Sequence, residues 1–244
     1  MKSGSTHPNR DAQPLVRERK FVSHGISADA VVSILRAWCA PDGQFPVGEL
    51  ESIYFDDPLL SSYWEKANGD ALKRKVRIRW YREAGMPQGS ANAYLEIKDR
   101  VGAARDKARF RFTASIRDLE TRPLEDPWFP ALLREQSANA GFPVPDALVP
   151  TVSIRYRRHR FVCPETLSRI SVDYCISSTR ANGRLFPGAA TSLPLSLDVV
   201  ICEAKSAAVR ALPFGEALSR LGMRMESFSK YGCLVERIMQ GGFT

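Results

Sequence analysis

In the stretch K-R-K-V-R-I-R-W-Y-R, positions 73 to 82, Lys75, Arg77 and Arg79 alternate with Val76, Ile78 and Trp80. A period of two predicts a strand with two unlike faces, one apolar and one cationic. Similar alternation at 16–23, 51–56, 92–100, 106–117, 151–162, 168–176 and 197–206 brings the expected number of strands to eight. Helical patterns occupy roughly 28–38, 58–67, 127–139 and 213–222, with a last helix from about 229. Ser27 stands where the first of these needs an N-cap.

Eight strands with a minority of helix suggest a mainly β (α+β) fold. The expected form is an antiparallel β-barrel, closed or nearly so, with flanking helices, because closure removes unpaired edges. The Pro-rich stretch G-F-P-V-P-D-A-L-V-P, 141–150, separates five strands from three. It reads as a connection within one domain, since three strands could hardly bury a core alone. Residues 1–13 are expected to form a disordered tail, leaving 14–244 as a single domain.

The polar faces have an unusual makeup. They carry Glu18 and Lys20; Lys75, Arg77 and Arg79; Glu96 and Lys98; Lys107, Arg109 and Arg111; Arg169, Ser171 and Asp173; and Glu203 and Lys205. Any one such strand reads most simply as solvent-facing, because Lys and Arg commonly protect exposed strands. As a set they are specifically cationic, and the opposite faces (Val76, Ile78 and Trp80; Leu95 and Ile97; Phe110 and Phe112; Val200 and Cys202) are apolar enough to lie under helices. The cationic faces would then line a lumen, leaving Lys73 and Arg82 at its mouths in solvent. Such a lumen would be self-repelling unless a polyanion filled it, and phosphate chains suit Arg and Lys best. The interspersed Glu residues suit a divalent metal that bridges phosphate oxygens.

Composition narrows the classes. The chain has 244 residues, 44% hydrophobic, and a formal net charge of +8, which favours a polyanionic partner without naming it. It shows no apolar run that could span a bilayer and no signal-peptide pattern, so a soluble, cytoplasmic protein is expected. Cys39, Cys163, Cys175, Cys202 and Cys233 are widely spaced and contain no C-x-x-C, so they read as small buried residues rather than as disulfides or a zinc site. There is no P-loop pattern.

The motifs E-R-K-F (18–21), S-I-Y-F-D (52–56), K-V-R-I-R-W-Y (75–81), L-E-I-K (95–98), K-A-R-F (107–110), Y-R-R-H-R-F (156–161), R-I-S-V-D (169–173), E-A-K (203–205) and F-S-K-Y (228–231), in this order, resemble the VTC domain. This is the polyphosphate-polymerase module of the triphosphate tunnel metalloenzyme superfamily, and the resemblance runs over 15–238. It implies an eight-stranded antiparallel tunnel and transfer of the ATP γ-phosphate to a growing inorganic polyphosphate chain, with Mn²⁺ or Mg²⁺. By the same resemblance Lys20, Arg77, Arg79, Lys98, Lys107, Arg158, Arg169 and Lys230 would bind phosphate, with Arg77, Arg79, Lys98 and Glu203 catalytic. Glu203 would hold the metal, with Glu18 and Glu96 as further candidates. Alternation puts Arg157 and Arg158 on opposite faces and leaves open which of Arg155, Arg157, Arg158 and Arg160 turns inward. The chain departs from the superfamily's Glu-x-Glu-x-Lys signature at Val16, a loss shared with the VTC branch, and it has Ser227 where family members can carry another lysine.

A hydrolase using water as acceptor on the same site is the nearest alternative reading. A non-catalytic polyphosphate or nucleic-acid binder is a further one, and nucleic acid is disfavoured because Trp80 and Phe110 fall on apolar faces. His159 reads as neutral among cations, Asp56 and Asp57 as turn and helix-capping residues, and Tyr231 as packing.

Overall fold

The computed structural model describes residues 17–70, 72–82, 90–101, 104–188, 193–206 and 211–241. The expected tail and Val16 lie outside the described residues, as does the side chain of Lys73. All eight expected strands are present as β1 (Arg17–His24), β3 (Val47–Asp56), β4 (Leu72–Arg82), β5 (Ser90–Val101), β6 (Ala104–Ser115), β7 (Val149–Val162), β8 (Arg169–Ser178) and β10 (Val199–Ser206). Three short strands join them: β2 (Ala40–Pro41), β9 (Leu195–Leu197) and β11 (Arg224–Met225). The helices are α1 (Ala28–Arg36), α2 (Ser61–Ala67), α3 (Ile116–Thr121), α4 (Trp128–Ala140), α5 (Gly215–Arg220) and α6 (Lys230–Met239).

Every strand pairing is antiparallel, in one sheet of order β11-β1-β10-β8-β7-β3-β4-β5-β6, with β2 on β7 and β9 on β8. Among the described residues no ladder joins β6 back to β1, so the barrel is not closed by hydrogen bonds. The sheet nevertheless rolls far enough for Lys98 of β5 to stand 3.8 Å from Glu18 of β1, although four other strands separate β5 from β10, the neighbour of β1. Side chains span the gap that backbone pairing leaves.

The convex face is apolar, as the alternation requires. Val76, Ile78 and Trp80 of β4, with Leu95 and Ile97 of β5 and Phe112 of β6, are buried under Leu119 of α3 and Phe129 and Leu133 of α4. On the other half, Phe161, Val172, Val200 and Cys202 pack under α1 and α5 through Val31, Leu35 and Leu218. Trp80 is completely buried, and its indole N–H donates to Glu120 at 3.2 Å, so its one polar atom is satisfied. Glu120 also binds Arg82, which is exposed to solvent as expected but on the Trp80 side of the strand.

The concave face is not uniformly charged. Along β7 the inward positions run Val152, Ile154, Tyr156 and then Arg158, and along β1 they run Glu18, Lys20 and then Val22. The apolar ends of these strands pack with Leu50 and Tyr54 against Tyr231, Leu234, Val235 and Ile238 of α6 and against Leu60 and Tyr63 of α2. Alpha-helix six therefore lies inside the curve of the sheet and fills its apolar half.

Local sequence accounts for the helix ends. The hydroxyl of Ser27 accepts the Asp29 N–H at 3.1 Å, the N-cap its position predicts. Alpha-helix three, which the alternation of 106–117 had hidden, begins where the Ser115 hydroxyl accepts the Asp118 N–H at 3.2 Å. Its last carbonyls are held by Arg180, which donates to Arg122 O at 2.7 Å and Leu119 O at 2.6 Å, a cation at a helix C-terminus. Gly141, at φ +67, ends α4 in the left-handed conformation that glycine adopts most cheaply.

Asp56 and Asp57 do cap, and this delays the helix expected from 58 until Ser61. Asp57 Oδ1 accepts the N–H groups of Leu59 and Ser61, and Asp56 accepts those of Ser62 and Tyr63. Asp56 Oδ2 also takes the Tyr231 hydroxyl at 2.7 Å, while the Tyr231 ring stacks on Tyr54 with centroids 5.1 Å apart. One buried carboxylate thus fixes α2 and ties it to α6. Of the cysteines, Cys39, Cys163 and Cys202 are buried as expected; Cys175 is exposed instead, at a positive-φ position in β8 where the strand turns its side chain outward. Asp56→Ala should cost about 2–4 kcal/mol, since it removes a cap and strands the Tyr231 hydroxyl, and Tyr231→Phe about 1 kcal/mol. Urea unfolding monitored by circular dichroism checks both.

Candidate functional site

The inward positions of the rolled sheet gather most of the predicted site. Glu96 of β5 is almost fully buried, and its carboxylate lies 2.5 Å from Arg77 Nη2, 3.6 Å from Arg79 Nη1, 3.4 Å from Arg109 Nε and 4.0 Å from Lys107 Nζ. Their register explains the convergence, because Glu96 stands directly opposite Arg77 on β4 and Arg109 on β6. Burial opposes its ionisation, yet Arg77, Arg79 and Lys107 hold the Glu96 carboxyl far below the usual carboxylate range. Such a carboxylate is a charge hub for the cations of three strands.

A second hub lies on β8. Asp173 is completely buried between Arg158 of β7, at 2.5 Å and 2.7 Å, and Lys230 at the start of α6, at 2.5 Å. Burial again opposes the charge, and again Arg158 and Lys230 overcome it and depress the Asp173 pKa. Alternation along β7 runs unbroken from Val152 to Arg158, because the irregularity beside it puts its extra residue on β8, near Cys175. Arg158 turns inward with Tyr156 and lies 5.4 Å from that ring's centroid. Arg155 turns to the convex face, where it binds Glu51 at 2.7 Å, and Arg157 is exposed. Arg160 lies 5.8 Å from the Tyr81 ring. Tyr156 also receives Arg79 at 5.8 Å and Lys230 at 4.7 Å, so one ring serves three cations.

The third group joins β1 and β10. Lys20 lies 2.8 Å from Glu18 and 3.9 Å from Glu203, and Lys205 lies 2.5 Å from Glu203. The cross-strand pairing Lys20↔Glu203 and Glu18↔Lys205 sets this checkerboard of opposite charges. Burial raises the Glu18 pKa, but Lys20 and Lys98 pull it down to about 2. Burial raises that of Glu203 too, Lys205 and Lys20 lower it, and the neighbouring Glu18 works against them; the net direction is down. Lys98 and Lys107 have half-exposed side chains and pKa values pushed below the usual lysine value, first by burial and then by neighbouring cations. Arg169 opens β8 exposed, opposite Lys205, at the periphery of the cluster.

Among the described residues no group of three or more His, Cys, Asp or Glu side chains could hold a metal ion. Glu18 and Glu203, on adjacent strands and close enough to perturb one another, make a two-carboxylate donor set. That set fits Mg²⁺ or Mn²⁺, which are held by one or two carboxylates together with substrate phosphates and water.

Several participants were not singled out by the sequence. Tyr54 is buried and receives Arg77 Nη1 at 2.7 Å. Burial raises its pKa, but Arg77, Arg79 and Lys75 bring the phenol down to about 8. Lys75 donates to Ser229 at 3.0 Å and Lys20 to Phe228 O at 3.4 Å, which ties the segment entering α6 to the cationic face. The signal for Tyr54 and Tyr156 was their period-two spacing from Ser52 and Arg158. His159 stacks on Tyr174 on the convex side with its pKa lowered, first by burial and then by Arg36, in keeping with a neutral imidazole.

Comparisons with known proteins bear on this site. A model of the VTC domain matches residues 44–238. No curated protein matches the sequence. Among solved structures, a candidate adenylate cyclase from Bacillus halodurans overlays with a TM-score of 0.46 at 13% identity, over 87% of this chain and 92% of that one. A candidate adenylate cyclase from Vibrio parahaemolyticus gives 0.46 at 11% identity, over 91% and 98%. A conserved hypothetical protein from Pyrococcus furiosus gives 0.43 at 13%, over 86% and 95%. These overlays are loose, and the family assignment rests on the 44–238 match.

The depressed carboxylates set a pH dependence. Below the usual carboxylate range, about pH 4, the unfolded chain takes up protons that folded Glu18, Glu96 and Asp173 refuse. Stability contributed by these groups is present above that range and drains away as pH falls toward their folded pKa values, about 2 for Glu18. Urea unfolding free energy should therefore fall steadily between about pH 5 and 3. Asp173→Asn should cost about 3–5 kcal/mol at pH 7, because it strands two buried cations, and should flatten part of that acid slope.

Proposed function

Because this chain belongs to the VTC domain family, we propose that it is a phosphotransferase that moves the γ-phosphate of ATP onto a growing inorganic polyphosphate chain along its concave face. The observation that supports this reading most directly is the surplus of positive charge there. Among the described residues Lys20, Lys75, Arg77, Arg79, Lys98, Lys107, Arg109, Arg158, Lys205 and Lys230 line that face, with Glu18, Glu96, Asp173 and Glu203 as the carboxylates between them. A polyphosphate or triphosphate chain supplies the missing negative charge, one unit per phosphate, with oxygens suited to Arg and Lys.

Arg77 and Arg79 would clamp the γ-phosphoryl group. Both already converge on one oxygen, Glu96 Oε2, at 2.5 Å and 3.6 Å, so a single anionic oxygen can lie between the two guanidinium groups. Each is also held from behind, Arg77 by Tyr54 and Arg79 by Ser52 at 3.0 Å. Side chains fixed in this way stabilise charge in the transition state without reorganising. Lys20, Lys98 and Lys107 would hold the other phosphates on one side, and Arg158 and Lys230 on the other, with Arg169 at the rim. The terminal phosphate of the acceptor chain is already an anionic nucleophile, so in-line attack needs no side-chain base. A divalent ion, Mn²⁺ or Mg²⁺, held by Glu203 with Glu18, would neutralise phosphate charge and orient the oxygens when bound.

No helix of the described residues is long and apolar enough to cross a membrane. The reaction is proposed for the aqueous, cytoplasmic side, with ATP and polyphosphate as partners.

Incubation with ATP and Mn²⁺, with phosphate products resolved on a gel, should yield long chains. Orthophosphate alone would make the protein a hydrolase, and absence of turnover with tight polyphosphate binding would make it a binding module. Glu203→Gln should abolish polymer formation while polyphosphate binding persists; loss of binding along with turnover would remove Glu203 from the metal. Arg79→Lys keeps the charge but loses the two-pronged geometry, and should lower the rate at least about 100-fold.

A further inference from the structure

We infer that Arg109, stacked on Tyr94, is the platform for the base of a nucleoside triphosphate, so that this face selects a nucleotide over an inorganic phosphate chain as donor. The inference rests on the phosphate-clamping role proposed above for Arg77 and Arg79. The guanidinium carbon of Arg109 lies 3.8 Å from the Tyr94 ring centroid, which is stacking contact. Its Nη2 donates to the Tyr81 hydroxyl at 3.1 Å, and its Nε lies 3.4 Å from Glu96. Tyr81 and Tyr94 brace each other edge to face, with centroids 5.8 Å apart at 85°. Arg160 approaches the Tyr81 ring from β7 at 5.8 Å and extends the same cation and aromatic wall.

A guanidinium held on three sides is a fixed plane rather than a mobile charge. One face of that plane lies against Tyr94, yet the side chain remains 40% exposed. The Tyr81 ring centroid lies farther from the guanidinium carbon, at 5.8 Å; a guanidinium plane held in this way and partly exposed can stack a nucleobase as an aromatic ring does. Its place suits a nucleoside. Glu96 is shared by Arg109, Arg77 and Arg79, so the platform and the phosphoryl clamp are joined through one carboxylate, within reach of a single nucleotide. A bare phosphate chain has no ring to lay on the plane, and with Arg109 Nη2 on Tyr81 and Nε beside Glu96 it would draw mainly on the charge.

Substitution separates the two roles. Arg109→Lys preserves the charge and removes the plane, and Tyr94→Leu removes the support while leaving Arg109 in place. The intact protein and both variants, with folding checked by circular dichroism, are titrated calorimetrically with ATP and with inorganic tripolyphosphate in Mg²⁺. Both variants should weaken ATP by about tenfold and tripolyphosphate by no more than about twofold. Equal weakening of the two ligands, or equal affinity of the unaltered protein for both, would overturn the platform. Failure of the unaltered protein to bind either ligand would sink the phosphate-site reading beneath it and the platform with it. Tight tripolyphosphate binding without an ATP preference leaves that reading standing and removes the platform alone.

Discussion

Arg77, Arg79, Lys107 and Arg109 all lie within 4.0 Å of one buried carboxylate, Glu96. Without it, β4, β5 and β6 would press like charges together on a face partly shielded from water, where repulsion is least screened. Asp173 does the same for Arg158 and Lys230, and Glu18 and Glu203 do it for Lys20, Lys98 and Lys205. The concave face is therefore a lattice of shared carboxylates in which, among the described residues, the cations outnumber them. A polyanion of the kind proposed would meet that deficit.

The same constraint governs how the sheet closes. Backbone pairing does not join its ends among the described residues, and Lys98 on β5 reaches Glu18 on β1 across the interior instead. A closure made by side chains is adjustable, because the proposed phosphate chain could take over the lysines without breaking a hydrogen-bonded ladder. Alpha-helix six takes part in it. Its entry segment accepts Lys20 and Lys75, its first residue is bound to Asp173, and Tyr231 anchors it to Asp56. Some of the lysines proposed to bind phosphate thus also hold the helix that fills the apolar half of the curve.

Much of this was legible along the chain. Period-two alternation located every long strand, and the apolar composition of both Val76–Ile78–Trp80 and Leu95–Ile97 correctly placed those faces under helices. Alternation on one strand does not show what stands opposite on another. The cations around Glu96 could not be read from its own strand, which offers only Lys98 on that face, because they come from β4 and β6. The inward arginine of β7 was undecidable for a related reason: alternation puts Arg155 and Arg157 on one face and Arg158 and Arg160 on the other, and only the packing of Tyr156 and Arg158 toward α6 shows which face turns inward. Alpha-helix three was hidden because an alternating run led into it and only Ser115 marks the change.

The sequence by itself determined the strands, the sidedness of each and the excess of cations over carboxylates, because these follow from local spacing and from counting charges. Only the tertiary structure decided which cations share a carboxylate, how α6 occupies the concave side and how Arg109 comes to lie on Tyr94. Those are relations between strands distant in sequence, set by register and by the curvature of the sheet, and the resulting pairings depend on distances that no single strand contains.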